Sequence, residues 1–266
     1  NGNNFQSGDI SVNKTFVQNG QCLGLKTDKP FIKDSFQKNL YVTVPKPVKK
    51  SNISVNSYYS PKQLLRAYSH PAYVNSLIEE NPKISKMLES KGLTCQIYPE
   101  NITNITNSHI TTTTAYALEI ANQLNLSDLD KQILEQACVF HDFGKILVPS
   151  ELINKPGELT QEEKEIVDLH AILGYELLSG TGMNSRVLNL IKNHHSHSED
   201  NQDILGQILS VADIYSALRE ERSYKKPLDI KAANKILDEK VKNGELNAIV
   251  VEALKNSQKK NQLYAA

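Results

Sequence analysis

One ten-residue stretch constrains this chain more than any other: Ala137-Cys138-Val139-Phe140-His141-Asp142-Phe143-Gly144-Lys145-Ile146. An apolar helix end delivers adjacent His and Asp, and Gly-Lys follows. Neutral imidazole is a nitrogen ligand, and Asp is a hard oxygen ligand able to bridge two metals. Lys145 lies one turn beyond His141, within reach of a bound phosphate. A His-Asp pair alone is more often a surface pair or a histidine satisfied by its neighbour. The apolar lead-in and the Gly-Lys make this one stronger.

The chain holds seven histidines. Five of them fall where helical geometry aims them inward. His170 shares a face with Ile166, Leu173 and Leu177, which the core must cover. His194-His195 closes an amphipathic helix bearing Val187, Leu188 and Ile191. Adjacent helical residues point about 100° apart. Both therefore reach one site only over the helix end, or with two metals sharing the space. His197 reads as a solvated helix end. Asp213 sits in Ile208–Leu218, a helix apolar nearly all round. An unpaired carboxylate there costs several kcal/mol, so a metal or a basic partner is required. His109 opens a helix, and taken alone it reads as a polar N-terminal residue.

The segments around these residues read as helix. Ser60-Pro61, Pro71 and Pro82 start short helices at about 61–69, 72–80 and 82–90, with Gly92 as a stop. A helix over 108–124 follows. Ser127 with Asp130 opens another, running to about His141. Thr160 with Glu163 has capping-box spacing and opens a helix to Leu178. Further helices fall at about 184–195, 202–219, 229–242 and 245–257. No alternating Val/Ile run interrupts them, so the class is all-α, packed around an interior site.

Residues 1–56 differ. They hold eight Lys against three Asp, with Asn, Ser and Gly abundant. They read as an extended basic arm or linker that lacks a core pattern, with room for a short strand at Leu40–Val44; the alternative to a plain tether is a contact for a protein partner or membrane surface. Residues 57–100 form a short helical subdomain, and 101–266 the main domain. Thirty Lys+Arg balance thirty Asp+Glu, which gives no argument for specific nucleic-acid binding. Cys22, Cys95 and Cys138 are odd in number and form no CxxC pair, against a disulfide framework or a cysteine zinc site. No transmembrane segment or signal peptide is legible, and a cytoplasmic protein is expected.

With these residues assembled, the chain resembles the HD superfamily of metal-dependent phosphohydrolases, and within it the bacterial HD-GYP cyclic-di-GMP phosphodiesterases. The resemblance covers about 108–257. His141-Asp142-Phe143-Gly144-Lys145 resembles the HDxGK core, and Lys155–Glu163 the KPGxLTxEE stretch. His170 with Gly174 matches H-x3-G, His194-His195 the HH pair, and Val211 to Tyr224 the VAD…R-x-Y segment. It implies an HD-domain helical bundle and a metal-dependent phosphodiesterase or phosphohydrolase of a nucleotide, with a cyclic dinucleotide such as cyclic-di-GMP a candidate. His109, His141, Asp142, His170, His194, His195 and Asp213 would be ligands of iron or manganese, with Asp142 bridging. A metal-bridging hydroxide would attack phosphorus. Lys145 would stabilise phosphate charge, and Arg222 and Lys225 would hold substrate.

Three departures qualify that likeness. No Gly-Tyr-Pro follows His195, and the connection to the Asp213 helix is shorter. Ile105 stands where trinuclear members carry Glu, so two metals are expected. Ser216 replaces the second Asp of VADxxDAL. The alternative to an enzyme is a degenerate signalling module that keeps metal and binds a nucleotide or protein without turnover.

Overall fold

The structure, a computed structural model, describes residues 17–18, 21–22, 60–101, 108–197, 203–221 and 226–264. The described residues are helical apart from turns and one short antiparallel pair, Val17–Gln18 with Gln21–Cys22. The all-α expectation therefore holds. The expected strand at Leu40–Val44 lies outside the described residues, as does most of the basic arm.

Three short helices come first: α1 Pro61–Tyr68, α2 Pro71–Glu80 and α3 Pro82–Ser90. Each starts on proline, whose fixed φ suits the first turn and whose missing N–H loses nothing there. Ser60 and Gln63 close a reciprocal capping box on α1. Asn81 caps α3 and also donates through Nδ2 to Glu176 Oε2 at 2.8 Å, tying this segment to a later helix.

The bundle that holds the site follows. It comprises α4 Ser108–Gln123, α5 Asp128–Phe140, a 3-10 turn Phe143–Leu147, and α6 Ser150–Ile153. Next come α7 Gln161–Leu178, α8 Ser185–Asn193, α9 Ile204–Arg219, α10 Ile230–Lys242 and α11 Ala248–Tyr264. Caps fix most of the starts, since side-chain oxygens satisfy the unpaired first-turn amides. Ser127 accepts from Asp130 N on α5, and Asp203 from Leu205 N on α9. Thr160 and Glu163 form the capping box of α7. The last helix begins later and runs further than its apolar pattern suggests, with Asn247 accepting from Ile249 N and Val250 N at its start.

Helix α9 is central. It buries Leu205, Ile208, Leu209, Val211, Ala212 and Tyr215 on several sides and packs on α4, α5, α8, α10 and α11. One continuous apolar core runs from Leu64 to Leu254. Segment α1–α3 joins it: the Tyr68 ring lies 5.8 Å from that of Phe140, and α2 and α3 pack on α7. None of the helices among the described residues is long and apolar enough to cross a membrane.

Candidate metal centre

Four pieces of backbone meet at the middle of the bundle. Helix α5 is buried along its last turn by Ala137, Cys138, Val139 and Phe140. His141 is its C-cap, and Asp142 turns the chain into the 3-10 segment. That turn lies against α7 at very close range. A Cβ on Gly144 would sit 2.0 Å from the His170 carbonyl oxygen and 2.5 Å from Gly174 N. Only glycine leaves room for the backbones to meet, and this contact brings Asp142 beside His170. Asn101, fully buried, donates from Nδ2 to the carbonyls of Lys145 and Val148, both at 2.8 Å, and so pins the turn from outside.

The histidine pair is resolved by the end of a helix. Helix α8 stops at Asn193, and His194 and His195 lie in the turn beyond it. The turn lets both rings face His170. His194 Nε2 lies 3.1 Å and His195 Nε2 3.2 Å from His170 Nε2. On the other side, His109 Nε2 lies 2.9 Å and His141 Nε2 3.7 Å from Asp213 Oδ1. The ligating atoms of His170, His194 and His195 form one group within 4.8 Å, and those of His109, His141 and Asp213 form another. Asp142 stands between the groups, with Oδ1 3.3 Å from His170 Nε2 and Oδ2 3.5 Å from His141 Nε2. The seven residues singled out as ligands are thus brought together.

Proton bookkeeping tests whether a metal fits. A carbonyl can only accept, so each ring nitrogen beside one carries the proton. His141 Nδ1 donates to Cys138 O at 2.8 Å, His170 Nδ1 to Val167 O at 2.7 Å, and His194 Nδ1 to Ile191 O at 2.7 Å. Burial, helped by the charge on Lys145, depresses His170 to about 3. Burial and the neighbouring histidines hold His194 well below its ordinary value. Both rings are neutral, so their Nε2 atoms face each other at 3.1 Å as two lone pairs with no proton between them. His141 Nε2 is buried and has no hydrogen-bond partner. A cation is what such a set lacks. With metal–nitrogen bonds of about 2.1 Å, neighbouring ligand atoms lie roughly 3 Å apart, close to the spacing found.

The acids complete the charge balance. Burial opposes ionisation of Asp142 and Asp213. The charges of His141 and Lys145 outweigh it at Asp142, and the bond from His109 with the nearby charge of His141 outweighs it at Asp213, so both carboxyls stay well below the usual range. Burial likewise opposes charge on His109, but bonds to Asp213 and Glu220 raise it to about 9. Lys145 Nζ donates to Asp142 Oδ2 at 2.7 Å and is partly exposed. Arg222, Lys225 and Ile105 lie outside the described residues. Two contributors escaped the sequence reading. Asn101 opens a polar Asn/Thr stretch and Glu220 lies in the charged run Arg219-Glu220-Glu221-Arg222, and neither pattern marks a site residue.

A profile of the HD domain family matches residues 72–248. The chain belongs to the HD domain family. Over 126 residues it is 36% identical to the cyclic di-GMP phosphodiesterase response regulator RpfG of Xanthomonas campestris pv. campestris (strain 8004), covering 43% of this chain and 33% of that protein. It is 28% identical over 136 residues to 3'3'-cGAMP-specific phosphodiesterase 2 of Vibrio cholerae serotype O1, covering 46% of this chain and 26% of that one. The chain therefore spans about a third or less of these curated relatives. Among solved structures, Bd1817, a HDG"Y"P protein from Bdellovibrio bacteriovorus, aligns with a TM-score of 0.49 at 16% identity, covering 77% of this chain and 75% of that one. The HD domain match begins inside α2 and ends at the start of α11, so it contains every candidate ligand.

Proposed function

We propose that this chain is a metal-dependent phosphodiesterase acting on cyclic dinucleotides in the cytoplasm. The observation that carries the reading is the convergence of the Nε2 atoms of His141, His170, His194 and His195, those of His170 and His194 facing each other as lone pairs, beside two ionised aspartates. His170, His194 and His195 would hold one divalent transition ion. His109, His141 and Asp213 would hold a second, and Asp142 would serve both through its two oxygens. Iron and manganese both suit this imidazole and carboxylate set. Such ions, when bound, supply Lewis acidity and lower the pKa of a bound water for attack at phosphorus.

The protein's own groups do the rest. The depressed carboxyls of Asp142 and Asp213 keep two negative charges ready for the cations. The carbonyls of Cys138, Val167 and Ile191 lock three imidazoles in the tautomer that presents Nε2. Lys145, at the exposed edge, would donate to a phosphate oxygen as charge builds there. Arg222 and Lys225 are proposed to hold the substrate's phosphate or base. Relatives named as cyclic di-GMP and 3'3'-cGAMP phosphodiesterases support the substrate class. The unpaired thiols of Cys95 and Cys138 support a reducing compartment.

The test is turnover. Protein loaded anaerobically with iron or manganese is incubated with cyclic-di-GMP, 3'3'-cGAMP and cyclic-di-AMP, and linear products are separated by chromatography. Product from at least one is expected. Stoichiometric metal with no product from any of them would replace the enzyme by a metal-bearing module that binds without turnover.

A further inference from the structure

Three of the buried histidines share one device. His141, His170 and His194 each donate Nδ1–H to the carbonyl three residues earlier. His109 is the second residue of α4. Its Nδ1 instead lies 3.0 Å from Glu220 Oε2 and 3.2 Å from Ser216 Oγ. Ser216 Oγ is 2.5 Å from Thr112 Oγ1, and Ser108 Oγ donates to Glu220 Oε1 at 3.3 Å. Glu220 is the residue at the end of α9, one turn beyond Ser216 and two beyond Asp213.

We infer that Glu220 is a positioning residue for the ion at His109, its carboxylate reaching the ring from one helical turn beyond Ser216. The inference rests on the two-ion reading above. Glu220 is not itself a ligand of that ion. Its carboxylate meets Nδ1, and the Nε2 face of the ring, where Asp213 and His141 converge, is on the far side. A carboxylate on Nδ1–H fixes the tautomer, holds the ring's angle and raises the basicity of Nε2. A serine at 216 could supply only a neutral oxygen. The carboxylate at 220 supplies the charge, and Ser216 makes the short hydroxyl bridge to Thr112, which ties α9 to α4.

Manganese alone is a sufficient probe, because two neighbouring Mn(II) ions give an exchange-coupled resonance and a single ion gives six lines. Wild type, Glu220→Ala, and Glu220→Ala combined with Ser216→Asp are each dialysed against manganese. Bound metal is counted and the resonance recorded. Circular dichroism confirms the helix content of each. Wild type is expected to hold two coupled ions. Glu220→Ala should weaken one ion by about 10- to 100-fold and show six lines. Ser216→Asp should restore the coupled signal in that background. A coupled pair persisting in Glu220→Ala at wild-type affinity would overturn the inference and leave the two-ion reading standing. Absence of any coupled pair in wild type would overturn that reading, and this inference with it. If Glu220→Ala loses helix content, Glu220→Gln decides. It keeps the shape and an accepting oxygen without the charge, and full wild-type affinity there removes the charge from the argument.

Discussion

The His170 carbonyl oxygen occupies the space in which a side chain at Gly144 would begin, 2.0 Å from an ideal Cβ. The next contact, Gly174 N at 2.5 Å, is backbone too, so no rotamer change relieves it. Gly144→Ala must therefore push the 3-10 turn away from α7. Overpacking against fixed backbone costs about 3 kcal/mol or more. Because the turn carries Asp142, metal affinity should fall in parallel. Chemical denaturation and metal analysis of the same preparation check both, and an alanine variant of near wild-type stability would contradict the close approach.

Asp142→Ala removes the carboxylate that stands between the two histidine groups, at 3.3 Å from His170 and 3.5 Å from His141. Metal and activity should be lost together, with folding only modestly affected, because the vacated space borders the partly exposed Lys145. Elemental analysis is the readout. Wild-type metal content in this variant would show that Asp142 is not shared between the ions.

Much of this arrangement was legible because the residues that carry it sit in local patterns. Helix periods and Pro, Ser and Thr caps place α1–α5 and α7–α10 within a few residues, whereas the single-turn α6 has no such signal. The apolar surroundings of His141, His170 and Asp213 mark them as inward-facing. What could not be read is contact across the chain. Glu220 meets His109 over a separation of 111 residues, and its neighbours in sequence are all charged or polar. Asn101 meets Lys145 and Val148 from a stretch whose composition says only that it is polar. The pairing of His194 with His195 on one site was left open, since a helix would splay them. The helix ends at Asn193, and a helix end does not announce itself to the residue in a run without Gly or Pro.

Lys145→Met tests the separation of binding from chemistry. Its ammonium touches Asp142 but has access to solvent on its other side. Removing a charge that acts on the developing phosphate charge should lower kcat by about 100- to 1000-fold. Metal content should stay at the wild-type level, since no ligand is changed. Equal loss of metal and rate would instead make Lys145 a support of Asp142.

Arg186 supplies a pH-dependent test of the scaffold away from the metals. Its Nε and Nη2 donate to both oxygens of Asp203 at 2.8 and 2.9 Å, and Nη1 donates to Asp130 at 2.6 Å. This joins the N-terminus of α9 to that of α5. The Arg186 bond is the main cause holding the Asp203 carboxyl below its ordinary value. A depressed carboxyl is protonated in the unfolded chain before it is protonated in the folded one. Its contribution is therefore complete above about pH 4, the ordinary range of an aspartate, and is lost as pH falls through the lower folded value. Arg186 is more than a third exposed, so screening limits the effect to about 1 kcal/mol at neutral pH. Arg186→Met should lower stability by that amount at pH 7, and the gap to wild type should narrow as pH falls below about 4. Urea titrations at pH 7 and pH 3.5 measure it, and a gap that is the same at both would show that the pair contributes through packing rather than charge.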